Sequence, residues 1–177
     1  MANTQLFALI NVIGGTLVLG SYVFCIYFYP EYRESFWGGV HGNTRKFFTF
    51  SMLPAAIGYL LFFYCAVFRP EAGIFEYKGF LGQNNINVLC IMFLSASSIW
   101  MPALVMYFKT DLIFWWFIVV GVLWITALSL ISMLFVVISS DAPSSLYKNM
   151  SIYGLSYIIF HCLILDAIIW VAKLPIK

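Results

Sequence analysis

Long unbroken apolar runs, separated by short polar stretches, set the plan of this chain. Five runs are long enough to cross a bilayer: Gln5 to Tyr29, Phe47 to Phe68, Ile86 to Phe108, Leu112 to Ile138, and Met150 to Ala172. A helix needs about 20 apolar residues to cover the hydrocarbon core. The runs do not alternate with period two, so each reads as a helix rather than as a strand of a membrane barrel. Between them lie "PEYRESFWGGVHGNTRK", "RPEAGIFEYKGFLGQNN", "KTD" and "SSDAPSSLYK". No internal repeat of the transporter type is visible. The expected fold is all-α, a polytopic membrane bundle of five transmembrane helices forming one domain over residues 1–177.

Composition removes the soluble alternatives. The chain is 63% hydrophobic and 9% charged, with a mean hydropathy of +0.97, whereas soluble domains carry roughly 25% charged residues. Its expected surroundings are the lipid bilayer. A net charge of +2 without a basic run excludes a nucleic-acid partner. The opening "MANTQ" has no Lys or Arg, and the run after it is too long for the core of a cleavable signal peptide, so it reads as a retained span. The four cysteines, Cys25, Cys65, Cys90 and Cys162, all sit inside apolar runs without CxxC spacing. They read as packing thiols rather than a disulfide or zinc framework.

Charge also orients the chain. Five crossings put the first loop, the third loop and the C-terminus on one side, with Arg33, Arg45, Lys46, Lys109, Lys173 and Lys177. The other side carries Arg69, Lys78 and Lys148. The excess predicts a cytoplasmic C-terminus and an N-terminus across the membrane. Sorted by depth, Pro54, Trp100, Pro102, Trp115, Trp116 and Asp166 then fall in the C-terminal half of the bundle. The first loop, with Trp37, His41 and Arg45, covers that end.

Asp166 is the costly residue, since a carboxylate in a membrane span needs compensation. Three states are open to it: neutral, paired with Arg33 or Arg45 of the first loop, or hydrogen-bonded to neighbouring helices. His161 lies five residues back, about 140° away on a 3.6-residue helix, so an acid–base pair is not expected and His161 reads as a hydrogen-bonded core residue. Simple structural roles also fit several other residues. Prolines bend membrane helices, Trp115 and Trp116 suit the interfacial belt, and Ser95, Ser97 and Ser98 permit close helix approach. Trp100, beside the carbonyls that Pro102 frees, suits a cavity wall as well as a seam. The sequence has no HExxH, P-loop, histidine cluster or nucleophile–base pair at usable spacing. Neither an enzyme nor a cofactor is expected.

Two segments carry a family resemblance, best between Gly82 and Trp170. "SASSIWMPALVMYF" is similar to the Asn-x-x-Trp-x-Pro segment of the translocator protein family, also called tryptophan-rich sensory proteins, with Trp100 and Pro102 on its Trp and Pro. "YGLSYIIFHCLILDAIIW" resembles that family's fifth-helix stretch: Tyr153, Leu165 and Trp170 match, and Asp166 stands at the usual Asn. Cys162 falls on a normally small position. "MLPAAIGYLLFF" places Pro54 and Tyr59 on the second-helix Pro and Tyr. The chain departs from the pattern in three places: "GNTRKFF" replaces the Pro-Pro-x-Trp entry to the second helix, Ala56 replaces a Trp, and Ser97 replaces the third-helix Asn.

The resemblance implies binding, or transport, of a flat lipophilic ligand such as a porphyrin or sterol. The residues implied are Trp37, Pro54, Tyr59, Ser97, Trp100, Pro102, Tyr153, Cys162 and Asp166. Two other classes stay open: an assembly subunit of a larger membrane complex, or a small channel or transporter using Asp166. The partners expected are lipid, a lipophilic small molecule, and either a second copy of the chain or membrane-complex subunits.

Overall fold

The computed structural model describes residues 3–77 and 84–176. Two of the charges used for orientation, Lys78 and Lys177, lie outside that set, as does Gly82. Five helices are long and apolar enough to cross a membrane: α1 (Asn3–Phe28), α2 (Gly42–Phe68), α3 (Asn85–Thr110), α4 (Ile113–Ile138) and α5 (Leu146–Lys173). No strand occurs among the described residues. The chain is therefore a multi-pass helical membrane protein.

Two helices begin a turn or more before their apolar runs. α2 opens at Gly42 and takes in the polar "GNTRK", while α5 opens at Leu146 rather than Met150. A backbone helix extends past the hydrocarbon boundary wherever its first turn can be satisfied. At α5 the cap is Ser145, whose Oγ accepts from the Lys148 N–H at 3.1 Å and donates to the Glu71 carbonyl at 3.1 Å. The short "KTD" link turns because Asp111 adopts a left-handed φ of 54° at the end of α3, a conformation Asp tolerates better than most residues.

The helices form a ring in the order α1, α3, α4, α5, α2, closed by a short contact of α1 with α2. α1 and α3 run parallel: Asn87 near the start of α3 donates to the Asn3 carbonyl at 3.5 Å. The far end of α3 meets the C-terminal segment, where the Tyr107 hydroxyl donates to the Pro175 carbonyl at 2.7 Å. Asn3 and Pro175 thus lie at opposite ends of the bundle.

α2 and α5 approach most closely at Gly58 and Gly154. A Cβ on Gly58 would lie 2.5 Å from the Gly154 carbonyl oxygen and 3.2 Å from its Cα. Backbone contact of this kind is how membrane helices gain packing without a hydrophobic driving force between them.

Two apolar clusters fill the ring. One, with Phe7, Phe62, Cys90, Met133 and Leu155, occupies the N-terminal end. The other, with Cys25, Val40, Leu104, Tyr107 and Trp170, occupies the C-terminal end. Lys148 is buried at the foot of α5, with Nζ donating to the Ser140 and Ala142 carbonyls at 3.0 Å each. It thereby satisfies carbonyls just past the end of α4. All four cysteines are free.

Candidate ligand cavity and a buried polar row

Beneath the first loop, between α1, α2, α3 and α5, lies a cavity of about 430 Å³. α1 supplies Tyr22 and Ile26, α2 supplies Phe48 and Met52, and α3 supplies Trp100 and Met101. Asp166 and Trp170 come from α5, and Arg33, Glu34, Phe36 and Trp37 from the loop. The rings of the aromatic wall meet edge to face or tilted. The Trp100 ring stands 5.5 Å from Trp170 at 70° and 5.7 Å from Tyr22 at 59°, arrangements the ring quadrupoles favour.

The loop is pinned over this space by four contacts. Trp170 Nε1 donates to the Phe36 carbonyl at 3.1 Å. The Gly39 N–H donates to the Lys173 carbonyl at 3.0 Å, and a Cβ on Gly39 would sit 2.7 Å from that oxygen. Arg45 grips Glu34 with both guanidinium nitrogens, at 2.6 and 3.3 Å, and lies 4.6 Å over the Trp37 ring. The Arg45 hydrogen bond and charge hold the Glu34 carboxyl below the usual carboxylate range. Arg33 Nε donates to the Ile26 carbonyl at 2.8 Å. The rim is therefore polar and the wall aromatic.

Trp100 Nε1 is buried and has no hydrogen-bond partner among the described residues. A buried indole N–H normally finds an acceptor. Trp100 itself is on the cavity wall, and Trp116 Nε1, away from that wall, is likewise buried and without a partner among the described residues.

Asp166 has a different partner from any expected. From Phe160 to Trp170, α5 is wound as a π-helix, and the Val171 N–H reaches the Asp166 carbonyl. In π winding each N–H bonds five residues back, so residues five apart stack on one face. His161 and Asp166 therefore meet: Nε2 and Oδ2 are 3.6 Å apart. The expectation that they diverge by about 140° holds only for α winding and is corrected here. Neither Arg33 nor Arg45 is the partner of Asp166, since Arg45 is taken by Glu34. The other ring nitrogen, His161 Nδ1, shares a hydrogen bond of 3.0 Å with Ser51 Oγ on α2. Ser51 Oγ shares one of 3.4 Å with the Tyr157 hydroxyl. A polar row thus runs Asp166, His161, Ser51, Tyr157 from the cavity into the bundle. Ser51 is fully buried and is not on the cavity wall.

Of the ligand-binding residues implied by the resemblance, Trp37, Trp100 and Asp166 share the cavity. The others lie elsewhere. Tyr153 is 74% exposed, because its neighbour Gly154 takes the inner face against α2. The Tyr59 hydroxyl donates to Asn11 Oδ1 at 2.7 Å in the opposite half of the bundle. Ser97 Oγ shares a 3.4 Å hydrogen bond with Thr126 across α3 and α4. Pro54 and Pro102 lie within α2 and α3, and Cys162 packs against the N-terminal cluster. Trp115 and Trp116 are half-buried against the C-terminal cluster. Sequence reasoning passed over Tyr22, Phe48 and Met52. They are ordinary apolar residues of spanning helices, and nothing local marks the face they take.

No family model, no curated protein and no solved structure matches the chain. Its fold and cavity define it as a five-helix membrane protein with an aromatic chamber under a pinned loop.

Proposed function

We propose that the chain binds a flat lipophilic ligand, of the porphyrin or sterol kind, in the chamber under the first loop. The observation that carries this reading is the aromatic cavity itself, walled by Tyr22, Trp37, Phe48, Trp100 and Trp170. Ligand sites are typically apolar clefts of roughly 300–1,000 Å³ with a few convergent polar groups. The cavity, at about 430 Å³, has that size, and Trp100, Asp166 and the two arginines have that role. The similarity of the third- and fifth-helix segments to the translocator protein family supports the same reading. On this proposal the loop side faces the cytoplasm, in line with the excess of Lys and Arg there.

Quenching of tryptophan fluorescence by added protoporphyrin tests it in purified protein. Saturable quenching is expected, with affinity falling in Trp100→Ala and partly in Trp100→Phe, which keeps a ring but loses the donor. Tyr153→Ala, on the outer face, should leave affinity unchanged. Quenching that never saturates, or that is indifferent to Trp100, defeats the proposal.

A further inference from the structure

The polar row behind the cavity has a geometry that a purely structural carboxylate does not need. Asp166 is on the cavity wall with 26% of its side chain open, whereas His161 behind it is only 8% open. One imidazole nitrogen faces the carboxylate, and the other is held by Ser51, itself joined to Tyr157. At 3.6 Å the carboxylate contact is electrostatic and too long for a formed hydrogen bond. The π winding that brings the two residues together is rare in helices and frequent at functional sites.

We propose that Asp166 and His161 form one proton-binding site that fills and empties through the cavity, with Ser51 and Tyr157 fixing the imidazole from behind. No covalent bond is made or broken other than to the proton itself, which passes between cavity water and the Asp166–His161 pair. The titratable and charged groups around the site can be named element by element. α1 presents Tyr22, the loop presents Arg33 and Glu34, and α2 presents Arg45 and, behind the imidazole, Ser51. α5 adds Cys162 beside Asp166, α3 contributes only Trp100 and Met101 to this wall, and α4, packed on the same stretch of α5, carries no titratable side chain. Arg45 and Glu34 balance one another, and the imidazole of His161 is within 3.6 Å of the Asp166 carboxyl. The proposal uses the cavity as a route and requires no ligand within it.

Dicyclohexylcarbodiimide, which adds to protonated carboxyls in apolar surroundings, is the probe. With the full chain in detergent, one adduct on Asp166 is expected by peptide mass spectrometry, forming more slowly as pH rises. His161→Gln should displace that pH profile by about one unit, a tenfold change in labelling rate at fixed pH. An unlabelled Asp166 at every pH, or the same profile with and without His161, overturns the proposal. A second readout holds if that variant misfolds. The chain has two histidines, and in ¹⁵N-histidine spectra Asp166→Asn should move the titration of His161 while leaving exposed His41 alone. An unmoved His161 titration also overturns it. Protoporphyrin added to the labelling reaction separates the two proposals: an adduct that forms equally with protoporphyrin present retains the proton site and counts against the ligand.

Discussion

Adding one carbon where α2 crosses α5 should loosen the whole bundle, and the size of the effect follows from the backbone. In Gly58→Ala the new Cβ meets the Gly154 carbonyl oxygen at 2.5 Å, where ordinary contact begins at 3.4 Å. The helices must separate by about 0.9 Å, the difference between those two values, because the obstacle is backbone and cannot rotate away. Overpacking of this kind costs about 1–3 kcal/mol. Seven residues along each antiparallel helix from this crossing lie Ser51 and His161, so separation also stretches their 3.0 Å hydrogen bond. Gly154→Ala meets the Gly58 carbonyl in the same way. Once one substitution has parted the helices, the second has less to displace, so the double variant should cost less than the sum of the singles, as neighbours generally do. Denaturation of purified protein, followed by helicity in mixed micelles, measures all three. Wild-type stability in Gly58→Ala, or strict additivity in the double variant, would refute the crossing.

Other consequences can be read at the ends of the bundle. Trp170→Phe removes the donor to the Phe36 carbonyl and should cost about 1–2 kcal/mol, seen as faster hydrogen exchange across Gly38 to Val40. Lys148→Met leaves the Ser140 and Ala142 carbonyls without their cation and should destabilise by about 2–3 kcal/mol, measured by the same denaturation. The Glu34 carboxyl is held low by Arg45, so its contribution to pinning the loop is complete above the ordinary Glu value, near pH 4.3. That contribution is lost as pH falls through the lower folded value. Loop exchange should therefore quicken in acid, and Glu34→Gln should remove that pH dependence.

The five crossings were legible because apolar length is a one-dimensional signal. Depth was legible too: counting along each helix put Trp100, Asp166 and the first loop at one end, and they share a cavity there. Azimuth was not. These helices are apolar on nearly every side, since lipid and core make the same demand of a side chain, so nothing in the sequence turned Tyr153 outward or Tyr22 and Phe48 inward. Gly154 held the missing clue for Tyr153, but a glycine declares a close approach only when its partner, Gly58, is known. The His161–Asp166 contact was hidden for another reason. Five-residue spacing signals a shared face only under π winding, and the stretch "FHCLILDAIIW" carries no proline or other local mark of that geometry.

The central claim is that the chamber beneath the first loop is a binding site, and the indole N–H groups report on it directly. The chain has six tryptophans, so ¹⁵N-tryptophan labelling gives six indole signals, with Trp100 assigned by its loss in Trp100→Phe. Titration with protoporphyrin should move the Trp100 signal saturably as its N–H gains an acceptor, while outward-facing Trp124 stays in place. A Trp100 signal that stays fixed, or six signals that drift together without saturation, would contradict the account.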